Sequence, residues 1–275
     1  MTSTALADAT IARLEQRILR MIRAAGAGHP GGSLSSVGIL AEILLSQGRF
    51  APGADDHDWF VLAKGHAAPA LYANLVELGY FDDDELDTFK HLGARLQGHP
   101  DRRKAPGVQV TTGHLGQGLS IALGLAIAEQ LERSDRHVWA VLGEGDLHEG
   151  QTWEAAMAAA HYDVSGLTAI LDANGLTQHG AVERIMTIEP VAQKFAAFGW
   201  DVRELADGHD QDAVADGLAG SRTQTRPTLV IARTVKGHHV SFMENDPMWH
   251  SREMGEDDYR RAVAEIEERA QSHGE

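Results

Sequence analysis

Short apolar runs, each closed by charge or glycine, recur along the chain and alternate with stretches whose apolar residues repeat at helical spacing. The runs are Trp59–Ala63, His137–Leu142, Leu167–Asp172, Trp200–Leu205 and Pro227–Ala232. The helical stretches are Ser35–Gln47, Ala67–Leu78, Gly116–Arg133, Gln151–His161, Val191–Phe198, Gln211–Gly220 and Glu256–Gln271. Strands separated by helices run parallel, and the helices cover both sheet faces. The expectation is an α/β fold, a parallel sheet with helices on both faces. No repeat or linker divides residues 1–275, so a single domain is expected. Ahead of the first strand, Ile11, Leu14, Ile18, Met21 and Ile22 mark a helix over Leu6–Ala25, which feeds a glycine-rich loop from Gly26 to Gly32.

Charge and cysteine content exclude several classes of function. Asp and Glu outnumber Lys and Arg 40 to 24, giving a net charge of −16. Such a chain repels a phosphate backbone, so no nucleic-acid partner is expected. There is no cysteine, which removes disulfides, thiolate metal sites and thiol nucleophiles. No stretch approaches a membrane span or a leader peptide, so no membrane partner and a cytoplasmic location are expected.

In open parallel sheets ligands collect beyond the carboxyl ends of the strands. Two such junctions are rich in glycine: Thr111 to Gly118, which opens a long helix, and Gly143-Glu144-Gly145-Asp146 after an apolar strand. Glycine lets backbone N–H groups approach an anion, and a helix N-terminus adds positive potential. A dinucleotide fingerprint fails because His148 stands where its third glycine belongs, and Thr152 occupies the second ligand position of a zinc-protease helix. What remains is Glu144 at one strand end and Asn174 at the next, 30 residues on. One carboxylate, one amide and one backbone carbonyl form an all-oxygen set suited to magnesium (Mg2+) or calcium (Ca2+) that already holds phosphate oxygens. Taken alone, a strand-end Glu and an Asn-Gly turn arise more often by accident.

The wider pattern resembles a known family. Gly143-Glu144-Gly145-Asp146-Leu147-His148-Glu149-Gly150-Gln151-Thr152-Trp153-Glu154-Ala155-Ala156-Met157, followed by Asp172-Ala173-Asn174-Gly175-Leu176, is similar to the thiamine-diphosphate motif of transketolases. Further blocks follow in the same order: Ala27 to Gly32, Val61 to His66, Gln97 to Pro100, Thr111 to Gly118, Val240 to Asn245, and Trp249-His250. The resemblance runs from about Leu14 to His250 and is closest to split transketolases, whose diphosphate-binding domain is a separate N-terminal subunit. It implies thiamine diphosphate and a divalent metal as cofactors, the metal on Glu144, Asn174 and the Leu176 carbonyl. It implies cofactor contacts along the glycine junctions, at Gly113, Leu115, Gly116, Gly143, Gly145 and Asp146. Glu149 would join an acidic network between paired cofactor sites. His29, His66, His99 and His250 would line the cofactor and the sugar donor, with imidazole donating to a hydroxyl or moving its proton.

The implied function is transfer of a two-carbon ketol unit from a ketose, a sugar or sugar phosphate, to an aldehyde. Rival readings are another thiamine-diphosphate enzyme, of the 2-oxo acid dehydrogenase or deoxyxylulose phosphate synthase type, and a noncatalytic partner-binding subunit. This sequence departs from the family pattern at Glu144 in place of Asp, at His114, at Ala173, and at His238-His239 after Lys236-Gly237. His114, His238 and His239 stand as candidates for setting specificity. After His250 only Ser251 to Glu275 remain, one helix with Tyr259, Val263 and Ile266 on a face. The expectation is therefore that a second polypeptide, the C-terminal transketolase subunit, carries the pyrimidine-binding domain, in a heterotetramer with two copies of each chain.

Overall fold

The computed structural model describes residues 6–272. Five strands form one parallel sheet: β1 (Trp59–Leu62), β2 (Val138–Gly143), β3 (Leu167–Ala173), β4 (Asp201–Leu205) and β5 (Thr228–Arg233). Their spatial order is β1-β2-β3-β5-β4, so the last strand in sequence lies inside the sheet. The register pairs Gly143 with Asp172 and Ala173 with Arg233, which levels the carboxyl ends of β2, β3 and β5.

Side chains alternate across the sheet, as period-two geometry requires. Val138, Ala140, Leu142, Leu167, Ala169, Leu171, Leu229 and Ile231 join a core with α4 (Gln117–Glu132), α5 (Gly150–His161) and α7 (Val191–Phe198). Trp139, Val141, Ile170 and Val230 point the other way. There they meet α1 (Asp8–Ala24), α2 (Pro30–Ala41), α3 (Ala68–Glu77), α8 (Gln211–Leu218) and α9 (Glu256–Ser272). A short α6 (Val182–Met186) sits in the connection that leaves β3. β1 and β5 send the chain to the α3 and α9 face, while β2 and β3 send it to the α5 and α7 face. The divergence opens a crevice above the strand ends.

Sequence pattern and structure differ most at the start of α2. The loop expected through Gly32 is already helix from Pro30, because proline at the first helical position has a suitable φ and no amide hydrogen to leave unpaired. Gly31 and Gly32 serve close packing there: a Cβ on Gly31 would lie 2.9 Å from the Trp249 carbonyl oxygen, and one on Gly32 3.1 Å from His66 Nε2. The helix expected over Ser35–Gln47 therefore begins earlier, ends at Ala41 and continues as a π turn over Glu42–Gln47. The other strands and helices fall within a few residues of expectation. Gly116 and Arg133 are left-handed caps of α4 rather than members of it.

α4 rests on β1 through Gly118, where an added Cβ would come 2.6 Å from Ala63 Cα, a backbone atom that cannot yield locally. Gly118→Val is expected to destabilise the protein by about 1–3 kcal/mol through overpacking. Urea unfolding reads this directly, and an unchanged midpoint would mean that α4 lifts from the sheet without cost.

Candidate active site

The crevice is a cleft of 380 Å³, and each wall comes from the end of a different element. β2 runs into a 3-10 turn, Glu144–His148, that carries Glu144 and Gly145 to the floor. β3 ends at Ala173, and the loop that follows from Asn174 places the Gly175 amide 2.6 Å from Glu144 Oε2. In the same loop the Leu176 amide donates to Asn174 Oδ1 at 3.1 Å. β1 supplies Lys64 and, on the next turn, His66. An antiparallel bridge between Gly28 and Arg252 draws the segment before α2 against the one after Trp249, which sets His29 beside His250.

Three imidazoles form a triangle: His29 to His66 and His29 to His250 are each 5.4 Å between ring centroids, and His66 to His250 is 5.1 Å. His99 lies 6.4 Å from His29, on a loop held by the Tyr72 hydroxyl, which donates to the Gln97 carbonyl at 2.9 Å. Burial lowers all four histidines. His29 falls to about 4 and His250 to about 3, with burial first and then the positive field of neighbouring groups as cause. His66 drops well below its ordinary value for the same reasons. His99 is also lowered, by burial and then by His114 and Lys90. At neutral pH the four rings are therefore uncharged, each with one donor and one acceptor nitrogen.

Beneath the rings lies a charged layer. Asp172, fully buried, accepts from the Lys64 ammonium, from Ser35 Oγ at 2.7 Å, from Asn174 Nδ2 at 3.1 Å and from the Thr234 hydroxyl. Burial alone would raise its carboxyl, but Lys64 and these donors hold it below the usual carboxylate range. Glu144 forms no ion pair among the described residues, and burial, opposed by the Gly175 amide and Arg233 but reinforced by Asp172 and Glu189, pushes it up to about 7. Lys236 reaches in from beyond β5, donating to the Leu176 and Thr177 carbonyls at 3.1 and 3.2 Å and lying 2.9 Å from His250 Nδ1. Burial, then Lys64, lowers it to about 8.

The structure gathers His29, His66, His99, His250, Gly113, Leu115, Gly143, Glu144, Gly145, Glu149, Asn174 and Leu176 around this one cleft. Two expected contacts, Asp146 and Gly116, lie behind it instead. Asp146 is buried and turned inward, where its two carboxylate oxygens accept the Gly116 and Gly143 amides at 2.9 Å each. Those bonds staple the two glycine junctions together, and they also commit the Gly116 amide. His114 lines an adjoining groove with His99, Thr111 and Gly113. His238 and His239 lie outside the cleft, packed against His209. Sequence reasoning passed over Lys64 and Lys236 as site residues. The signal was present, since each is a cation just past an apolar strand, and both prove to be buried.

Fold and cleft define an α/β protein that holds an anionic cofactor at strand ends under a canopy of neutral histidines. The family profile described as the transketolase thiamine diphosphate binding domain matches residues 9–267, and the chain belongs to that family. It is 39% identical over 246 residues to a 6-deoxy-6-sulfo-D-fructose transketolase subunit of a Clostridium strain, covering 88% of this chain and 89% of that protein. It is 35% identical to an apulose-4-phosphate transketolase subunit of Phocaeicola vulgatus, covering 92% of this chain and 91% of the relative. The structure of transketolase from Leishmania mexicana superposes with a TM-score of 0.90 at 28% identity, over 96% of this chain but only 42% of that one. The chain thus spans most of the split subunits and less than half of that full-length enzyme.

Lys64→Met would leave Asp172 buried without its cation, a loss of about 3–5 kcal/mol at pH 7. The pH dependence separates this from ordinary cavity formation. In the parent, the depressed Asp172 carboxyl contributes stability above its unfolded value of about 4, which is lost as pH falls below that value. In Lys64→Met burial raises the same carboxyl, so the deficit relative to the parent should shrink as pH falls. Urea unfolding between pH 7 and pH 3 measures both trends, and a deficit independent of pH would refute the pairing as its cause.

Proposed function

We propose that this chain is the cofactor-binding subunit of a split transketolase, which moves a two-carbon ketol unit from a ketose to an aldehyde. The observation that carries the reading is that one cleft joins an oxygen-lined, lysine-flanked floor to a canopy of uncharged histidines. A metal-bound diphosphate suits the first and a polyhydroxy substrate the second. The named relatives act on 6-deoxy-6-sulfo-D-fructose and apulose 4-phosphate. A ketose bearing an anionic group at its far end is the donor class we assign by analogy.

The floor fits the cofactor's charge. Glu144 is a buried carboxylate with no ion-pair partner among the described residues, and a divalent ion beside it would return it to the ionised form. With Asn174 Oδ1 and the Leu176 carbonyl it makes the hard oxygen set preferred by Mg2+ or Ca2+. Both of those oxygens already accept one hydrogen bond, from the Leu176 amide and from Lys236, and each has a second lone pair. Glu144 is longer by one methylene than the family's Asp, and its bond to the Gly175 amide directs the extra reach toward the Asn174 loop. Lys64 and Lys236 contribute positive charge to a site inside a strongly acidic chain.

Thiamine diphosphate, when bound, supplies the carbon nucleophile that accepts and releases the ketol unit. The chain's own part is to bind and orient. Leu115, 44% exposed at the cleft mouth, offers an apolar surface for a ring, beside the Gly113 backbone. His29, His66, His99 and His250, neutral and bifunctional, suit hydroxyl groups and their protons better than an anionic tail. The acid that protonates the aminopyrimidine ring, and the groups that hold the substrate's anionic end, are assigned to a second polypeptide seated over Leu115 and Glu149. A 2:2 assembly of the two chains follows from the symmetry of such enzymes.

Three outcomes test this. Glu144→Ala should weaken thiamine diphosphate binding in the presence of Mg2+ at least about a hundredfold, a loss of several kcal/mol typical of unpairing a buried charge. Calorimetric titration that finds parent affinity would remove Glu144 from the metal site. His99→Ala should lower kcat about a hundredfold, the usual range for a lost proton donor, while leaving cofactor affinity within a factor of three or so. Finally, the purified chain alone should not transfer ketol units from any ketose, and activity should appear on adding the separately purified partner. Turnover by this chain alone would overturn the two-subunit reading.

A further inference from the structure

We propose that His209, outside the cleft and not in contact with it, is the positioning residue that holds Lys236 in place by accepting the Val235 amide hydrogen. The inference rests on the reading of Lys236 as a cofactor-site lysine. Around Lys236 the chain must turn from sheet edge to cleft, and three of its amides there are held by acceptors on other segments. Thr234 donates its amide to the Ala173 carbonyl at 3.2 Å, Val235 donates to His209 Nε2 at 2.7 Å, and Gly237 donates to the Gly31 carbonyl at 3.0 Å. Two of these acceptors are backbone carbonyls. The third is a side chain, and the amide it holds belongs to the residue immediately before Lys236.

His209 is built for that task. Its ring lies face to face with His238, with centroids 3.5 Å apart and planes 17° from parallel, and His238 in turn packs on His239 at 3.7 Å. His239 Nδ1 lies 2.6 Å from Glu15 Oε1, and Arg269 Nη2 donates to the other Glu15 oxygen at 3.2 Å. The stack therefore ties the turn after β5 to α1 and α9. From its own side, the His209 amide donates to Asp207 Oδ1 at 2.8 Å, and its carbonyl accepts from Gln211 Nε2 at 3.2 Å. The ring has little freedom left. Only an uncharged imidazole can accept at Nε2, and burial, opposed by Asp172 and Asp207 but aided by His239, lowers His209 to about 4. This gives His238 and His239 a role behind the site, in place of the specificity role their sequence position suggested.

Two variants separate positioning from packing. His209→Phe keeps an aromatic ring against His238 and has no acceptor for Val235. His209→Gln gives up the ring and returns an acceptor oxygen at similar reach. Hydrogen exchange of the Val235 amide in the full chain should quicken about tenfold or more in the Phe variant and stay within about threefold of the parent in the Gln variant, the range expected for one buried hydrogen bond. In the enzyme assembled with its partner, the Phe variant should bind thiamine diphosphate about tenfold more weakly with kcat at saturating cofactor nearly unchanged, and the Gln variant should recover most of that affinity. Parent-like affinity in His209→Phe would overturn the proposal, as would a Gln variant no better than Phe, since the loss would then follow the ring stack and not the acceptor. If the parent itself fails to bind thiamine diphosphate, the cofactor reading falls. The Val235 exchange rates then still decide: parent-like exchange in His209→Phe sinks the role of His209, and fast exchange rescued by Gln upholds it.

Discussion

The buried Lys64–Asp172 pair is the constraint on which the site depends. Asp172 is the penultimate residue of β3, Lys64 follows β1, Ser35 comes from α2 and Thr234 from beyond β5, so one carboxylate gathers four separate segments at the carboxyl edge of the sheet. Lys64 also donates to the Gly32 carbonyl at 2.9 Å, which fixes the first turn of α2 and with it His29. A buried ion pair is seldom a large net source of stability. Its use here is geometric, because the pair is satisfied only when all four segments are in register. The histidine triangle and the Glu144 floor are both built on that platform.

Charge is divided within the cleft. Asp172 is ion-paired inside the chain, whereas Glu144 forms no ion pair among the described residues, and the two carboxylates occupy neighbouring strand ends. The first is an internal fixture, and the second is open to an external ion. The same division holds for the lysines. Lys64 is engaged by Asp172 and a backbone carbonyl, while the hydrogen-bond partners of the Lys236 ammonium among the described residues are two carbonyl oxygens and the neutral His250. A floor with one unmatched acid and one loosely matched base suits a ligand that brings both a cation and an anion.

Much of this was legible in the sequence, for physical reasons. β2, β3 and β5, buried on both faces, appear as largely apolar runs, and all five strands fell close to their expected places, although the edge strand β4 is only partly buried. Glu144 and Asn174 lie at adjacent strand ends because β2 and β3 are joined by a single helix, as the spacing implied. What stayed hidden was set by tertiary contact. Asp146 turns away from the cleft through a local bond from the Gly143 amide and a remote one from the Gly116 amide, and no local pattern shows the second. Pattern alone could not tell that Gly31 and Gly32 lie in a helix rather than a loop. Their reason for being glycine is a stretch of chain remote in sequence, at Trp249, together with the side chains that follow β1. The pairing of His209 with Val235 likewise depends on where β4 and β5 sit relative to each other.

The strand order also has a consequence for how the molecule is made. Among the described strands β4 pairs only with β5, and β5 follows the other four in sequence. While the polypeptide emerges from the ribosome, β4 has no ladder to join and the outer edge of β3 stands open until Arg233 is available. The gap in the sheet is then closed from its middle, by a segment that fits between two strands already formed. Such non-local closure is slow, and an uncovered strand edge invites pairing with other chains. A nascent chain stalled between β4 and β5 therefore leaves that β3 edge uncovered, and the cleft, whose floor needs Thr234 and Lys236, is completed only after β5 has been made.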